Sequence, residues 1–489
     1  MTLADRPLFS RRRFIAAGAA GVGTIAVFNP LDALGAAATA GHPPATAGAG
    51  EGGYGPLASV EDPNGSGWAL NLPAGFAFAV FGIEGSTMAD GHPTPKAHDG
   101  MASFPLSNGN IRLVRNHEDR NDSRTATVKG DPDKAYDPTA GAGTTSLEVA
   151  QHEDGSIDLV KDFVSLGGTF VNCAGGPTPW GTWVTCEETT DGTGEFVADP
   201  EGGEFTGSGG WAKAHGYVFE VSGDAEEQVE AVALPALGRF AHEAIAVDPW
   251  SGYVHLTEDG DEASGFYRFV PASYGDLSEG TLQMLAVTGQ DGYDTAAGQT
   301  VDQELLVEWR DLPDPDPAEA DTNGAALVES GLALGCASFS RLEGCWHANG
   351  AITFASTDGG EAGSGQIWQY TPVGRTGGVL KLVFESPSVD VLDSPDNVNV
   401  TPRGGVLLCE DGGSDNLFLR GLTPDGRIFD LAENITNGRE WAGACWSPNG
   451  RTLFVNVQGD TAGPDVVPPA SGDLGVTIAI WGPWEDGAL

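Results

Sequence analysis

The residues best suited to chemistry in this chain are acids that recur at one point of a repeated pattern. Six segments share a plan: a turn centred on Gly, a run of β-formers and, in five of them, a closing acid. Asn108-Gly109 runs to Glu118, Trp180-Gly181 to Glu187 and Glu188, and Ser251-Gly252 to Glu258 and Asp259. Asn349-Gly350 runs to Asp358, Arg403-Gly404-Gly405 to Glu410 and Asp411, and Asn449-Gly450 to Gln458, the copy without an acid. If equivalent strands point toward one mouth of a channel, these acids converge there, and carboxylates that close repel one another unless cations neutralise them. Hard oxygen ligands in such number suit calcium, Ca2+. The plainer reading of any single acid is a turn cap in an acidic protein; recurrence at one place argues against it.

The elements that must position these acids are short strands. Their cores, VHLT, VLLC, ITFA and LFVNV, are rich in Val, Leu and Thr as strands require. Six hairpin-like units at intervals of roughly 50 to 100 residues predict an all-β, six-bladed β-propeller with long inter-blade loops. At about 75 residues per blade the units exceed the ~40–45 of a compact repeat, so the surplus belongs in loops on one face, where function usually resides. Phe76 to Phe81 and Val476 to Trp481 read as strands near the two ends and are expected to close the ring by pairing in one blade. A β-sandwich is the other fold considered; it leaves the strand-then-acid ending unexplained.

Several loops add to the acids. Asn172-Cys173-Ala174-Gly175-Gly176 sets one Cys in a Gly-rich loop, followed by Thr178-Pro179-Trp180-Gly181. Arg239-Phe240-Ala241-His242-Glu243 precedes the third unit, Arg341-Leu342-Glu343-Gly344 the fourth, Asp396-Asn397 the fifth and Glu440-Trp441-Ala442-Gly443 the sixth, while Asn116-His117-Glu118 ends the first. A thiolate beside carboxylates suits a softer, more Lewis-acidic ion such as iron; the alternative is an inert buried Cys. His117 and His242, each preceding a Glu, are expected behind the site, with Asn116, rather than as ligands. No G-x-S-x-G, H-E-x-x-H or G-x-x-x-x-G-K-[ST] is present, which removes serine hydrolases, zincins and P-loop enzymes as first choices.

At these residues the chain resembles the PhoX-type alkaline phosphatases. The likeness runs from about Asn116 to Gln458 through NCAGG-x-TPWGTW-x-TCEE, RFAHE, HLTED…FYRF, R-x-EG, PDN, LLCEDG and EWAGACWSPNGRTLFVN. The resemblance implies twin-arginine export, a six-bladed propeller, and a centre of two ferric ions (Fe3+) and several Ca2+ ions joined by an oxo group that hydrolyses phosphate monoesters. It implies Cys173, Glu243 and Glu343 as iron-centre ligands. Glu187 or Glu188, Glu258 or Asp259, Glu410, Asp411 and Glu440 would contribute to the calcium shell, and Arg341 would grip phosphate. The chain is shorter than typical members, which puts loops that shape substrate choice in question. Residue chemistry agrees: a phosphate dianion is repelled by this protein's field unless metals reverse the local potential, and Arg341 offers a bidentate fork.

That field follows from 69 acidic against 24 basic residues in 489, a net charge of −45, which excludes nucleic acid and anionic lipid as partners. Residues 1–40 carry Ser10-Arg11-Arg12-Arg13-Phe14-Ile15, an apolar stretch from Ala16 to Phe28 and Ala38-Thr39-Ala40, the pattern of a twin-arginine signal with its cleavage site. The stretch is too short to span a bilayer, so no stable membrane insertion is expected after cleavage. A periplasmic or extracellular location follows, with the twin-arginine translocon as a partner during export. Residues 41–60 are expected as a flexible linker and 61–489 as the propeller phosphatase domain, acting as a monomer on small phosphate esters. Six Cys in an exported chain suggest disulfides, an argument weakened by folding in a reducing cytosol. A calcium-dependent propeller lactonase or phosphodiesterase would keep the acids and need neither Cys173 nor Arg341. A non-catalytic calcium-binding scaffold would keep only the ring.

Overall fold

A computed structural model describes residues 53–120, 127–195, 197–198, 207–260, 263–401, 403–414, 416–459 and 474–489. The N-terminal signal motif and its cleavage site lie outside the described residues. Six antiparallel blades form, each starting with one of the inner strands His98–Pro105, Asn172–Pro177, His242–Val247, Leu342–Ala348, Pro395–Val400 and Trp441–Trp446. Each inner strand touches the next, and the sixth packs on the first, so the ring is closed and the protein is a six-bladed propeller. Closure removes the exposed inner edges that an open sheet would leave.

In every blade the inner strand turns through the predicted Gly-centred hairpin into a second strand: Ile111–His117, Thr182–Glu187, Val254–Glu258, Ala351–Ser356, Val406–Glu410 and Thr452–Val457. The acids of the repeat therefore end the second strands, at the mouth where the inner strands begin. Blade 6 is finished by the expected pairing of the chain's two ends, Val476–Trp481 against Ala77–Phe81, with Ile478 opposite Val80. Phe78, Val80, Leu453, Val455, Ile478 and Ile480 are buried there and pack against Leu407, Leu419 and Leu431 of blade 5. Each such side chain stabilises the ring by about 1.5–3 kcal/mol, and truncating one to Ala should cost roughly 2–5 kcal/mol.

Two features depart from a simple ring. Blades 3 and 4 are one nine-stranded sheet, because their outermost strands Glu304–Asp311 and Gly377–Glu385 pair with each other. The folded body also starts within the stretch expected as linker. Leu57–Glu61 pairs with Ala69–Pro73 on the outside of blade 5, and the Tyr54 hydroxyl bonds the carbonyls of Trp484 and Leu489. All six Cys are free and buried.

Candidate metal centre

One backbone device repeats six times at the mouth. The N–H of the residue just past each second strand donates to the carbonyl of the residue leading into that blade's inner strand. The six bonds are Glu118 to Ala97 (2.9 Å), Glu188 to Val171 (2.9 Å), Asp259 to Ala241 (3.1 Å), Thr357 to Arg341 (2.9 Å), Asp411 to Ser394 (3.0 Å) and Gln458 to Glu440 (3.2 Å). Four of the acceptors, Ala97, Val171, Arg341 and Ser394, sit at positive φ between 42° and 51°. Such backbone costs of order 1–3 kcal/mol for a residue with a side chain and persists only where its surroundings enforce it, commonly at functional sites.

Immediately inside, five inner strands carry a β-bulge at their second and third residues: Asp99-Gly100, Cys173-Ala174, Glu243-Ala244, Glu343-Gly344 and Asp396-Asn397. A bulge re-aims a side chain. Here it gives five of the six blades a ligand-type group at the same height. The residue that follows is mostly small because the strands crowd: a Cβ on Gly100 would lie 2.5 Å from Ala174 Cα, and one on Gly344 2.5 Å from Val398 N. In blade 6 the irregularity falls one residue later, at Gly443-Ala444, and the acid comes instead from Glu440 before the strand.

Three groups result, in each of which the ligand atoms lie within 4.8 Å of one another: Cys173, Glu188 and Glu243; Glu243, Glu343 and Asp396; and Asp396, Asp411 and Glu440. Glu243 and Asp396 belong to two groups each, so the three are links of one chain across the mouth. Burial, and then the neighbouring carboxylates, push Glu243, Glu343, Glu440 and Asp99 well above the usual carboxylate range, and burial does the same to Glu188 against the opposing charge of Arg120; Asp396 is raised to about 7 and Asp411 to about 8. Burial and Glu243 raise the Cys173 thiol likewise, and its Sγ lies 2.9 Å from Glu243 Oε2. Crowded acids this unwilling to ionise together are what cations relieve. The donor set therefore fits hard cations along the chain, with a softer ion favoured at the end that holds the thiol.

The structure separates the paired candidates. Successive strand residues point to opposite faces, so Glu188, Asp259 and Asp411 face the mouth while Glu187, Glu258 and Glu410 turn into the blades. Glu187 accepts from the N–H groups of Phe170, Gly216 and Tyr217 and lies 2.7 Å from His215 Nδ1. Glu258 accepts from Gly265 N and the Tyr267 hydroxyl, and Glu410 from Asp393 N, Phe418 N and Arg420 Nε. Glu187 and Glu410 thus brace the segments leading into their blades' inner strands, and Glu258 braces the start of the third strand of its own blade. Asp358 is exposed, one residue beyond Thr357, which takes the ring position in blade 4.

Glu118 is joined to Asp99 through Gln458, whose Nε2 is 2.6 Å from Glu118 and 3.3 Å from Asp99. Sequence reasoning missed Asp99. Its signal was present, since His98-Asp99-Gly100 repeats His242-Glu243-Ala244, but it lies ahead of the first recognised unit. Asn116 holds the Cys173 loop by donating to the carbonyls of Cys173 and Ala174 and accepting from Trp183 Nε1. His117 bonds the Lys96 carbonyl and Thr145, and His242 the Gly238 carbonyl, so both lie behind the ring.

Arg341 is the cation facing this array from blade 4. Its Nε and Nη2 reach the two carboxylate oxygens of Asp259 at 3.0 and 2.6 Å, and Nη2 lies 3.4 Å from Glu343. Two residues apart on an extended strand, Arg341 and Glu343 would share a face. Instead Arg341 stands outside the strand at φ 42°, and that turn brings the two together.

A linked set of acids and one Cys at a propeller mouth, with an Arg beside them, matches a known sequence profile. The family Alkaline phosphatase PhoX matches residues 52–461. The chain belongs to this family. It is accordingly a phosphoric monoester hydrolase. In fold the chain is similar to Pseudomonas fluorescens PhoX in complex with vanadate, a transition state analogue, at TM-score 0.64 and 19% identity over 90% of this chain and 99% of that one. The gluconolactonase XC5397 from Xanthomonas campestris aligns at TM-score 0.37 and 12% identity, over 90% of this chain and 99% of that one. No curated protein sequence matches significantly.

Proposed function

We propose that this PhoX alkaline phosphatase works outside the cytoplasm with an iron and calcium centre (Fe3+ and Ca2+) at the propeller mouth. Cys173, Glu188, Glu243 and Glu343 would hold the iron end, and Asp396, Asp411 and Glu440, with Glu118 and Asp99 beyond, the calcium end. Bound there, the ions supply the positive potential and Lewis acidity that a phosphate dianion needs in a protein of net charge −45. The observation that carries this reading is the unbroken sequence of three ligand groups that share Glu243 and Asp396.

The chain's own residues then bind and orient. Burial opposes the charge on Arg341, but Asp259 and Glu343 hold it protonated and fix its plane, leaving Nη1 for a phosphoryl oxygen. Asn116 and Trp183 fix the Cys173 loop, and the bulges set the reach of each acid. One chain supplies the whole donor ring, in keeping with a monomer. Small phosphate esters suit a mouth open to solvent at Asp411. Among the described residues no helix is long and apolar enough to cross a membrane. Residues 1–40 are read as the twin-arginine signal that delivers a folded, loaded enzyme to the translocon.

Elemental analysis of exported protein tests this directly. Iron together with calcium is the expected result. Calcium without iron would overturn the iron assignment and leave a calcium-only hydrolase or scaffold.

A further inference from the structure

The three ligand groups span an arc of the mouth rather than its full circle. They bridge blades 2 and 3, 3 and 4, 4 and 5, and 5 and 6, and neither mouth acid of blade 1, Glu118 or Asp99, belongs to any of them. Both junctions of blade 1 are spanned instead by groups of the protein itself. On one side the Gln458 amide of blade 6 reaches Glu118 Oε2 and Asp99 Oδ2. On the other, Arg120 Nη2 contacts Glu118 Oε1 and lies 3.4 Å from Glu188 Oε2 of blade 2.

The backbone sets Arg120 at this junction. The carbonyl of the preceding residue, Asp119, accepts from Val171 N (3.3 Å), and the Val171 carbonyl accepts from Glu188 N (2.9 Å). The end of blade 1 is thereby tied to the segment that leads into blade 2, and residue 120 stands between the two acids. The Asp119 side chain is held as well, accepting from Thr127 N and Oγ1 at 2.8 and 2.7 Å. The side chains of Arg120, Glu118 and Glu188 are 14%, 10% and 17% exposed, so solvent screens their charges little.

Two carboxylates facing each other across such a junction repel and are costly to keep ionised unless a cation lies between them. Along the arc the proposed ions answer that demand. Here a guanidinium meets both acids, and its charge opposes the burial that raises Glu188. One nitrogen serves both carboxylates, as a single ion between two blades would; the clasp of Arg341 on Asp259 uses two nitrogens on one carboxylate. An Arg suits the place because it keeps its charge when buried.

We propose that Arg120 is a built-in cation of the centre. Between Glu118 and Glu188 it takes the place that a divalent ion takes along the arc, and so it limits the number of ions the enzyme holds. The inference rests on the reading of the mouth as a metal centre.

The test compares the mature, metal-loaded enzyme with Arg120→Gln, which removes the charge, and Arg120→Lys, which keeps it. Elemental analysis after dialysis against about 1 mM calcium should find one more calcium per chain in Arg120→Gln than in the wild type, with iron unchanged. Arg120→Lys should hold the wild-type count. Thermal melts across calcium concentrations give a second readout: Arg120→Gln should go on gaining stability over a range in which the wild type is already saturated. A wild type that holds neither iron nor calcium would overturn the reading of the whole centre, and this inference with it. A loaded wild type beside an unchanged calcium count in Arg120→Gln would remove this inference alone. So would an extra calcium in Arg120→Lys, or an Arg120→Gln protein that no calcium concentration stabilises.

Discussion

Arg341 and Asp259 form a two-point clasp across the junction of blades 3 and 4, with both carboxylate oxygens engaged by one guanidinium. The two blades are a single sheet, so the clasp spans a rigid unit rather than a sliding interface. On the proposed function Asp259 is a positioning residue: it engages two of the guanidinium's donors and so would aim the remainder, and a Lys cannot be held in this way. Arg341→Ala should keep fold and metal content and lose about 10²–10³ in aryl phosphatase rate, with Arg341→Lys recovering part. Steady-state rates on metal-verified protein check it; normal kinetics in both variants would leave the pair a surface ion pair.

Cys173 is separable from the other five thiols. Cys173→Ser removes the one soft donor from the group it forms with Glu188 and Glu243, and should cost iron and nearly all activity. Cys336→Ser and Cys345→Ser, in buried apolar clusters, should cost stability alone. Iron content by elemental analysis is the readout, and full iron in the Cys173 variant would contradict the assignment.

Removing the cations should lower activity and melting temperature together, because the acids then face one another bare. The pH dependence of the stripped protein has a definite sign. Unfolded carboxyls titrate near 4, whereas folded Asp396 sits at about 7 and Asp411 at about 8. Between those limits the folded state keeps protons that the unfolded state releases, so stability should fall as pH rises from about 4 to about 8. With calcium restored the charged forms are favoured, and stability should instead be lost on acidification. Thermal melts across pH with and without chelator decide this; identical curves would refute the convergence of charge.

Export is tested at the N-terminus. Replacing Arg11 and Arg12 with Lys should strand the precursor inside the cell, and immunoblots of cell fractions would show it. Undiminished export of the double variant would rule out a twin-arginine signal.

The repeat itself was legible in the sequence. Gly turns and β-branched runs are local features, and the strands they define at Ile111–His117, Val254–Glu258 and Val406–Glu410 end where the acids lie. So was the pairing of Phe76–Phe81 with Val476–Trp481, since an apolar strand at each end of a repeating chain has one partner that closes a ring. Cys173, Glu243 and Glu343 were singled out by the motifs NCAGG, RFAHE and R-x-EG and the resemblance those motifs carry, and the structure brings all three into the linked groups of ligand atoms. Tertiary structure alone decided which acid of each pair serves the mouth. Glu187 and Glu188 are equivalent on paper; the second strand's pleat sends one into a loop brace at His215 and the other toward Cys173. Asp99 joined the ring only because a bulge in blade 1 aims it there, and Arg341 met Asp259 only through a left-handed turn between two fused blades. Residue chemistry is carried by the chain one position at a time, whereas the direction of a side chain depends on the pleat, bulge and neighbouring strand that the closed ring imposes.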